Sequence, residues 1–237
     1  MKKHLSTVLL LLVLLAGVAL LLYPTASDYW NSFHQSRAIA GYAESVSGLN
    51  AVDYEHIWRS AREYNARLLE RANPFRVLEE DEADYNGELN VGNNGIMGYI
   101  EIPGIEVSLP IYHGTSDGVL QVAVGHLQGS SLPVGGPSTH CVLSGHRGLP
   151  SAKLFTNLDQ LAEGDIFMLR ILNETLTYEV DQIHIVLPDE MGDLVVQEGQ
   201  DHCTLVTCTP YGINTHRLLV RGKRIETPEA ASSARIT

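Results

Sequence analysis

Residues 204–220 read TLVTCTPYGINTHRLLV, and this stretch predicts two strands joined by a turn. Apolar and β-branched residues dominate both ends of the stretch, as is typical of strands. Pro210, Gly212 and Asn214 punctuate the connection between them. Cys208 therefore ends the first strand and Arg217 begins the second. If the two strands pair, directly or through one neighbour, a thiol and a guanidinium share one end of a sheet.

A thiol and a guanidinium in this arrangement suit acyl transfer. A thiolate can attack a carbonyl carbon, and a fixed guanidinium can hold the substrate or stabilise the oxyanion. The chemistry also needs an imidazole that exchanges protons with the thiol and the leaving amine. Of the ten histidines, His146 is the strongest candidate. It follows a short apolar strand and is flanked by glycines that open a loop, where catalytic groups tend to lie.

The competing residues have weaker patterns. His126 fits a structural, hydrogen-bonded histidine better than a catalytic one. His216 directly precedes Arg217, so on a strand its side chain points to the opposite face. Arg147 and Arg221 are the substitutes for Arg217 if that residue forms only a surface salt bridge.

The motifs around these residues resemble those of the sortases, the cysteine transpeptidases of the Gram-positive surface. Residues 204–208 (TLVTC) are similar to the TLxTC signature of that family. Residues 144–150 (SGHRGLP) and 215–217 (THR) resemble its histidine and arginine motifs. The likeness runs from about Gly98 to Arg224, with the separate motifs in the right order.

Further phrases resemble class C, the pilus-assembling sortases: residues 97–103 (MGYIEIP), 125–133 (GHLQGSSLP) and 154–158 (LFTNL). The resemblance implies a closed eight-stranded β-barrel in which Cys208 is the nucleophile, His146 the proton donor and Arg217 the substrate or oxyanion clamp. It also implies cleavage of an LPxTG-like sorting signal through a Cys thioacyl intermediate. A lysine amine of the next pilin subunit then accepts the acyl group. The implied partners are LPxTG-type surface proteins, pilin subunits and the cell membrane.

Size and composition exclude several other functions. With 237 residues, one domain plus an N-terminal extension is expected, and a hydrophobic content of 44% is ordinary for a chain with a core. A net charge of -12 argues against nucleic-acid binding, because no basic stripe is available for phosphates. No phosphate-binding loop and no metal-type spacing of Cys and His occur, so we expect no cofactor and no metal.

The N-terminus predicts a membrane anchor over residues 1–26. Lys2 and Lys3 precede an apolar run from Leu5 to Tyr23, about long enough to span a hydrocarbon core of ~30 Å. The basic flank predicts that this end stays cytoplasmic and that the catalytic domain lies on the cell-wall side. A signal peptide cleaved near Ala26 is the alternative, although the run is longer than the usual signal core.

Residues 27–95 predict a helical extension with a lid-like loop. Ser27 and Asp28 can cap a first helix through about Tyr42, with Trp30, Phe33 and Ile39 as apolar contacts. After a break at residues 48–50, a second helix is predicted over 53–71, with apolar residues at three- and four-residue spacing. We interpret the extension as a layer packed on the catalytic domain; a membrane-proximal stalk is the alternative.

Asn73, Pro74 and Phe75 follow the second helix and precede an acidic loop. In the pilus class, a mobile lid here carries an Asp-Pro-aromatic motif whose Asp contacts the catalytic arginine and whose ring covers the cysteine. This chain has Asn in place of the Asp. An amide can accept a hydrogen bond from Arg217 but forms no ion pair, so we expect a lid with a weakened hold. An ordinary helix stop with Phe75 in the core is the alternative.

Residues 96–226 are predicted to form the catalytic barrel. Short apolar strands separated by turn residues indicate a closed barrel or sandwich. The predicted strands are 99–102, 107–111, 141–144, 166–171, 176–185, 204–208 and 218–225, with helical pieces near 116–122 and 153–161. Residues 227–237 are Ala/Ser-rich and predicted to be disordered. Many pilus sortases have a second, C-terminal membrane segment; here the N-terminal run must anchor alone, or such a segment has been removed.

The three cysteines cannot all pair internally. In an exported protein, an odd cysteine is either intermolecular or a free reactive thiol, and Cys208 is the reactive candidate. Cys141 and Cys203 are interpreted as inert core thiols, with a disulfide between them as the alternative.

Two other functions remain as alternatives, and the sequence argues against two more. The same chemistry with a cell-wall amine gives a housekeeping-type sortase that anchors surface proteins. A non-catalytic surface-binding barrel or pilus-assembly protein has no need of Cys208, His146 and Arg217. A thiol oxidoreductase lacks its C-x-x-C pair, and the residues typical of papain-type hydrolases do not surround the cysteine.

Overall fold

The computed structural model describes residues 2–76 and 81–227, and their side chains from residue 7 onward. Helix α1 (Lys2–Ser47) runs without interruption through Pro24. The predicted helix start at Ser27 and Asp28 is therefore wrong. The Asp28 carboxylate accepts a hydrogen bond from the Lys153 backbone N–H at 3.0 Å, so its hydrogen-bonding capacity serves a tertiary contact instead of a cap.

The N-terminal and C-terminal parts of α1 differ in their contacts. Trp30 and Phe33, which were predicted as apolar contacts, are both exposed, so that prediction is wrong. Ile39 packs against the core as expected, and Tyr42 and Val46 are buried beside it. The Tyr42 hydroxyl donates to the Met97 carbonyl at 3.0 Å and accepts from the Leu172 N–H at 2.7 Å. These contacts fix the C-terminal part of α1 on the barrel.

Helix α2 (Ala51–Leu69) follows the predicted break and starts two residues earlier than expected. Asn50 is its N-cap, and Asn50 and Asp53 form a reciprocal capping box that satisfies the free N–H groups of the first turn. Ala61, Tyr64 and Leu68 are buried in the main core. The extension is thus packed on the barrel along this helix.

Eight strands form a closed barrel in the order β1-β2-β3-β4-β7-β8-β6-β5, which confirms the predicted fold. The strands are β1 (Ile96–Ile102), β2 (Val107–His113), β3 (Val124–His126), β4 (Thr139–Ser144), β5 (Ile166–Ile171), β6 (Glu174–Val186), β7 (Asp201–Thr209) and β8 (His216–Ile225). Strand β3 was not predicted, because a strand of three residues is too short to show an alternating pattern.

The remaining helices are short. Helix α3 (Glu82–Gly87) lies where an acidic loop was predicted, and α4 (Asp117–Leu120) and a 3₁₀ turn (Leu158–Gln160) match the two predicted helical pieces. Glu79 and Glu80 of the predicted loop lie outside the described residues, as does the predicted disordered tail beyond Thr227.

Two pairings decide where the ends of the strands meet. Strands β4 and β7 are parallel, with Ser144 opposite Val206, so the carboxyl ends of both lie at the same edge of the barrel. Strands β7 and β8 are antiparallel, so the start of β8 reaches the same edge. We call this edge the catalytic end. The β5–β6 turn lies at the opposite end, because Glu174 begins the strand that finishes at Val186, opposite Arg217.

Candidate active site

Cys208 and Arg217 are direct partners in the antiparallel β7–β8 pair. Leu205 and Val220 of these strands belong to the interior core. Side chains alternate between the two faces of a strand, so Cys208 and Arg217 both project from the outer face. Cys208 is a free thiol and is partly buried. The sequence prediction that the two groups share one end of a sheet is confirmed.

His146 lies at the same end, in the loop that follows β4. It is two residues beyond Ser144, and Cys208 is two residues beyond Val206, the partner of Ser144. Neighbouring strands lie about 4.8 Å apart, so the parallel register brings the His146 loop beside Cys208. No hydrogen bond joins His146 to Cys208 among the described residues. Catalytic hydrogen bonds are often long in unliganded enzymes and tighten when substrate binds.

Two hydrogen bonds hold the His146 loop against β7, and a third holds it to Phe155 further along the chain. The Gly145 N–H donates to the Val206 carbonyl at 3.0 Å, and the Thr207 hydroxyl donates to the Gly145 carbonyl at 2.8 Å. The His146 carbonyl accepts from the Phe155 N–H at 3.1 Å. Gly145 is required because a Cβ there would lie 2.7 Å from the Phe155 ring. The loop that carries the imidazole is therefore tightly packed.

The three candidate arginines differ in their partners. Arg221 forms a two-pronged ion pair with Asp181 at 3.0 and 2.8 Å. Arg147 is nearly buried and pairs with Asp159. Arg217 donates to the carbonyls of Asn214 and His216 at 3.4 and 3.2 Å and has no carboxylate partner within the described ranges. The charge of the Arg217 guanidinium is therefore available to a substrate. The charges of Arg147 and Arg221 are already paired with carboxylates.

Arg147 has a structural role that its sequence pattern does not predict. Its guanidinium lies 5.8 Å from the centre of the Tyr211 ring, and one of its nitrogens is 3.5 Å from the Thr209 hydroxyl. It therefore links the loop after β4 to the loop after β7. Its position directly after His146 was the only signal in the sequence, and the ion pair with Asp159 could not be read from that.

The other histidines have structural environments. His126 is fully buried, and its ring nitrogens lie 2.9 Å from the Tyr85 hydroxyl and 2.9 Å from the Ser131 carbonyl. His216 pairs with Thr209 in the register, which puts it on the face opposite to Cys208. Both observations agree with the sequence interpretation.

Cys141 and Cys203 are register partners on β4 and β7, and both side chains point into the core. Both are free thiols, so the alternative of a disulfide is not what the structure contains. Burial raises the pKa of Cys203 well above the ordinary range for a thiol, and a neutral buried thiol is a poor nucleophile.

An apolar strip on the outer face leads away from the cysteine. Val142, Leu194 and Leu219 are buried together there, and Val206 packs against them. Val206 and Leu219 lie two residues from Cys208 and Arg217 on the same strand faces. We call Val142, Val206, Leu219 and Leu194 the outer apolar strip.

Phe75 packs on this outer apolar strip and not in the main core, so the alternative that places it in the core is wrong. The chain crosses the barrel closely here: a Cβ on Gly129 would lie 2.5 Å from the Pro74 carbonyl oxygen. Asn73 is exposed, and the hydrogen bond to Arg217 that an amide could accept is absent from the described residues. At the base of the segment, Arg71 and Asp81 form a two-pronged ion pair at 2.7 and 2.6 Å.

A cavity of about 440 Å³ lies beneath this segment. It is lined by the end of α2, residues 73–75, residues 129–131 and the β6–β7 connection around Met191 and Leu194. The cavity therefore adjoins the outer apolar strip, and Phe75 separates part of that strip from solvent. Among the described residues, no cluster of three or more metal-ligating side chains occurs.

A family model described as the Sortase domain matches residues 100–225, more than half of the chain. This chain therefore belongs to the sortase family of cysteine transpeptidases. Among curated relatives, sortase D of Bacillus subtilis is 30% identical over 148 residues, which cover 61% of this chain and 72% of the relative.

Solved structures extend the likeness to class C sortases. Sortase C1 of Streptococcus agalactiae is 52% identical, covers 81% of this chain and all of its own, and superposes with a TM-score of 0.79. Sortase C of Streptococcus pneumoniae is 43% identical, with 81% and 97% covered and a TM-score of 0.70. Sortase C-1 of Actinomyces oris is 48% identical, with 73% and 99% covered and a TM-score of 0.68.

Proposed function

We propose that this protein cleaves an LPxTG-like sorting signal and joins it to a lysine amine of a pilin subunit. One observation carries the proposal: Cys208 lies directly opposite Arg217 on the outer face of the β7–β8 pair, no described carboxylate neutralises Arg217, and His146 follows the adjoining strand end. The Streptococcus pneumoniae sortase C is described as having a pilin substrate specificity. Similarity to class C enzymes supports the same substrate class here.

The reaction assigns one role to each residue. The Cys208 thiolate attacks the carbonyl carbon between Thr and Gly of the signal, and Arg217 stabilises the oxyanion of the tetrahedral intermediate. His146 gives its proton to the departing glycine amine as the C–N bond breaks, leaving a thioacyl enzyme. The lysine amine then attacks the thioester, loses a proton to His146 and releases the thiolate. An isopeptide bond replaces the original peptide bond.

The outer apolar strip supports binding of a peptide in extended form. It runs from the Cys208–Arg217 pair along β7 and β8, and burial of apolar side chains contributes about 25 cal/mol per Å². The leucine and proline of the signal would rest on this strip. Phe75 now occupies it, so Asn73, Pro74 and Phe75 act as a lid that must move before the peptide binds.

The N-terminal helix anchors the enzyme in the cell membrane. The region Thr7–Ser47 of α1 contains a window of mean hydropathy 2.6, long and apolar enough to cross a bilayer. Lys2 and Lys3 precede it, which favours a cytoplasmic N-terminus and a catalytic barrel on the cell-wall side.

Intact-protein mass spectrometry after incubation with an LPxTG peptide tests the proposal. Wild-type protein should gain the mass of the peptide cut after Thr, and Cys208→Ala should gain none. The Cys141→Ala variant is the matched control, because it removes a buried thiol and should keep the adduct. Absence of the adduct in both the wild type and Phe75→Ala would contradict the proposed substrate class.

Adding candidate amines to the thioacyl enzyme identifies the class of amine that accepts the acyl group. A peptide with a pilin-type lysine should resolve the adduct faster than an amine that mimics the cell-wall acceptor. The reverse order would favour the housekeeping type of sortase, which shares the first half of the reaction.

A further inference from the structure

The first turns of α1 beyond the apolar run dock on the loop that carries His146. The Asn31 side-chain amide donates to the Ser151 carbonyl at 2.7 Å. Asp28 accepts from the Lys153 N–H at 3.0 Å, and its carboxylate also lies 3.7 Å from the Lys153 ammonium. Ser151 and Lys153 belong to the segment between His146 and Phe155. The anchor helix and the active-site loop are therefore in direct contact.

The loop after Cys208 reaches the same level of α1. A cavity of about 490 Å³ is lined by Pro24, Thr25 and Asp28 on one side and by residues 148–150 and Tyr211 on the other. Tyr211 also packs on Gly148, where a Cβ would lie 3.0 Å from its ring. The β7–β8 loop thus sits beside the point where the apolar run ends.

The rise per residue of α1 gives the height of these contacts above the membrane. The run from Leu5 to Tyr23 is about 28 Å long at 1.5 Å per residue, which fills a hydrocarbon core of ~30 Å. Pro24 and Thr25 then lie at the boundary with the lipid headgroups. Tyr42 contacts Met97 and Leu172 about 26 Å further along the same helix axis. If the apolar run spans the bilayer, the catalytic end of the barrel is on the side toward the membrane and the β5–β6 turn is on the far side.

Apolar side chains are exposed where that orientation predicts contact with lipid. Tyr29, Trp30, Tyr211 and Ile213 are 77%, 64%, 59% and 67% exposed. Tyrosine and tryptophan are enriched at membrane–water interfaces, because their rings are amphipathic. We call these four residues the membrane-facing surface.

Two carboxylates close to this surface are paired with cations. Asp28 pairs with Lys153, and Asp159 pairs with Arg147 beneath Tyr211. Unpaired carboxylates here would be repelled by the negative surface of anionic lipids. Pairing removes that penalty for Asp28 and Asp159, although the chain as a whole is acidic.

We propose that the membrane-facing surface rests on the outer leaflet of the bilayer and holds Cys208 at the level of the lipid headgroups. The inference rests on the membrane anchorage given as part of the proposed function. It assigns the β7–β8 loop a role as a lipid contact. It also means that Cys208 reaches peptide bonds presented close to the bilayer more readily than bonds presented far from it.

Spin-label depth measurements on the full chain in vesicles test this orientation. Ile213→Cys and, as the matched control, Glu174→Cys are made in a Cys208→Ala background and labelled with a nitroxide. Glu174 is exposed and begins β6 at the end away from Cys208. Cys141 and Cys203 are buried in both proteins and remain unlabelled. The vesicles contain phosphatidylglycerol and phosphatidylcholine, and accessibility to oxygen is compared with accessibility to a water-soluble nickel chelate.

The ratio of oxygen to nickel accessibility should be at least threefold higher at residue 213 than at residue 174. Equal, water-like ratios at both positions would overturn the proposal, and so would protein that fails to float with the vesicles. These measurements need no catalytic activity. Failure of the wild type to acylate with a soluble peptide would therefore count against the proposed function alone.

An activity measurement provides a second readout. Ile213→Asp in otherwise wild-type protein should acylate with a soluble peptide in detergent within twofold of the wild-type rate. Its rate with the same peptide attached to a lipid in vesicles should fall at least fivefold, because the charge lifts the loop from the surface. Equal rates for variant and wild type on the lipid-attached peptide would overturn the proposal.

Discussion

The side chains of Cys208 and Arg217 project from the same outer face of the barrel, because the two residues are direct partners across the antiparallel β7–β8 pair. Arg147 and Arg221 each pair with a carboxylate, whereas Arg217 bonds only to main-chain carbonyls among the described residues. Cys208, the proposed nucleophile, thus lies opposite a cation that is free to bind a developing negative charge.

Replacement of Arg217 should slow acylation far more than replacement of Arg221. Loss of an oxyanion-stabilising group typically costs about 10²–10³ in rate, so Arg217→Ala should lower kcat/KM by about that factor. Arg217→Lys should recover only part of the rate, because an ammonium lacks the planar fork of the guanidinium. Peptide acylation kinetics measure both. A larger loss in Arg221→Ala than in Arg217→Ala would contradict the assignment.

Removal of the Phe75 ring should expose Cys208. Phe75 covers the outer apolar strip next to Cys208, so Phe75→Ala should speed labelling by a bulky thiol reagent several-fold. Val52→Ala is the control, since Val52 is an exposed residue at the opposite end of α2. If the two variants label at the same rate, Phe75 does not restrict access to the thiol.

Asn73→Asp should have the opposite effect. A carboxylate at this position can pair with Arg217, and exposed ion pairs contribute about 0.2–1 kcal/mol, so labelling should slow by about 1.4–5-fold. Asn86→Asp adds the same charge at an exposed position of α3 and should leave the rate unchanged. Unchanged or faster labelling of Asn73→Asp would count against the lid hypothesis.

Gly145→Ala should displace the loop that carries His146. The new Cβ would lie 2.7 Å from the Phe155 ring, and overpacking of this kind costs about 1–3 kcal/mol of unfolding free energy. Acylation should fall at least tenfold, since the imidazole moves with the loop. Gly118→Ala, in open space on α4, is the control and should not lose stability. Denaturant unfolding and acylation rates check both effects.

Stability should decline in mildly acidic solution because of His140. Its Nε2 lies 2.7 Å from the Thr204 hydroxyl and its Nδ1 lies 3.1 Å from the Val195 carbonyl. Burial lowers the pKa of His140 to about 4, so the unfolded chain binds the proton more tightly. The stability due to neutral His140 is complete above about pH 6.5 and is lost progressively as pH falls toward 4.

The expected loss is at most about 3 kcal/mol, with a slope of about 1.4 kcal/mol per pH unit for each buried histidine. Burial also lowers the pKa of His113 and His202, which adds to the slope in the same direction. His140→Gln should flatten the dependence of unfolding free energy between pH 7 and 5, and His56→Asn, at an exposed site, should not. An unchanged slope in His140→Gln would show that folding does not lower the pKa of His140.

Much of the candidate site could be predicted from local patterns. The strand-turn-strand of residues 204–220, the choice of Cys208 among three cysteines and the opposite face of His216 need only side-chain alternation and turn chemistry. Strand β3 and the continuity of α1 through Pro24 could not be predicted, because a three-residue strand has no period and proline normally interrupts a helix.

By itself the sequence determined which chemical groups exist and where the chain turns, since alternation, glycine and proline act over a few residues. Only the tertiary structure decided that β4 lies parallel to β7, which brings His146 beside Cys208 across about sixty intervening residues. It also decided that Arg147 and Arg221 pair with carboxylates while Arg217, within the described ranges, does not, and that Trp30 and Phe33 stay exposed. These outcomes depend on which distant groups meet, and that is set by packing of the whole barrel.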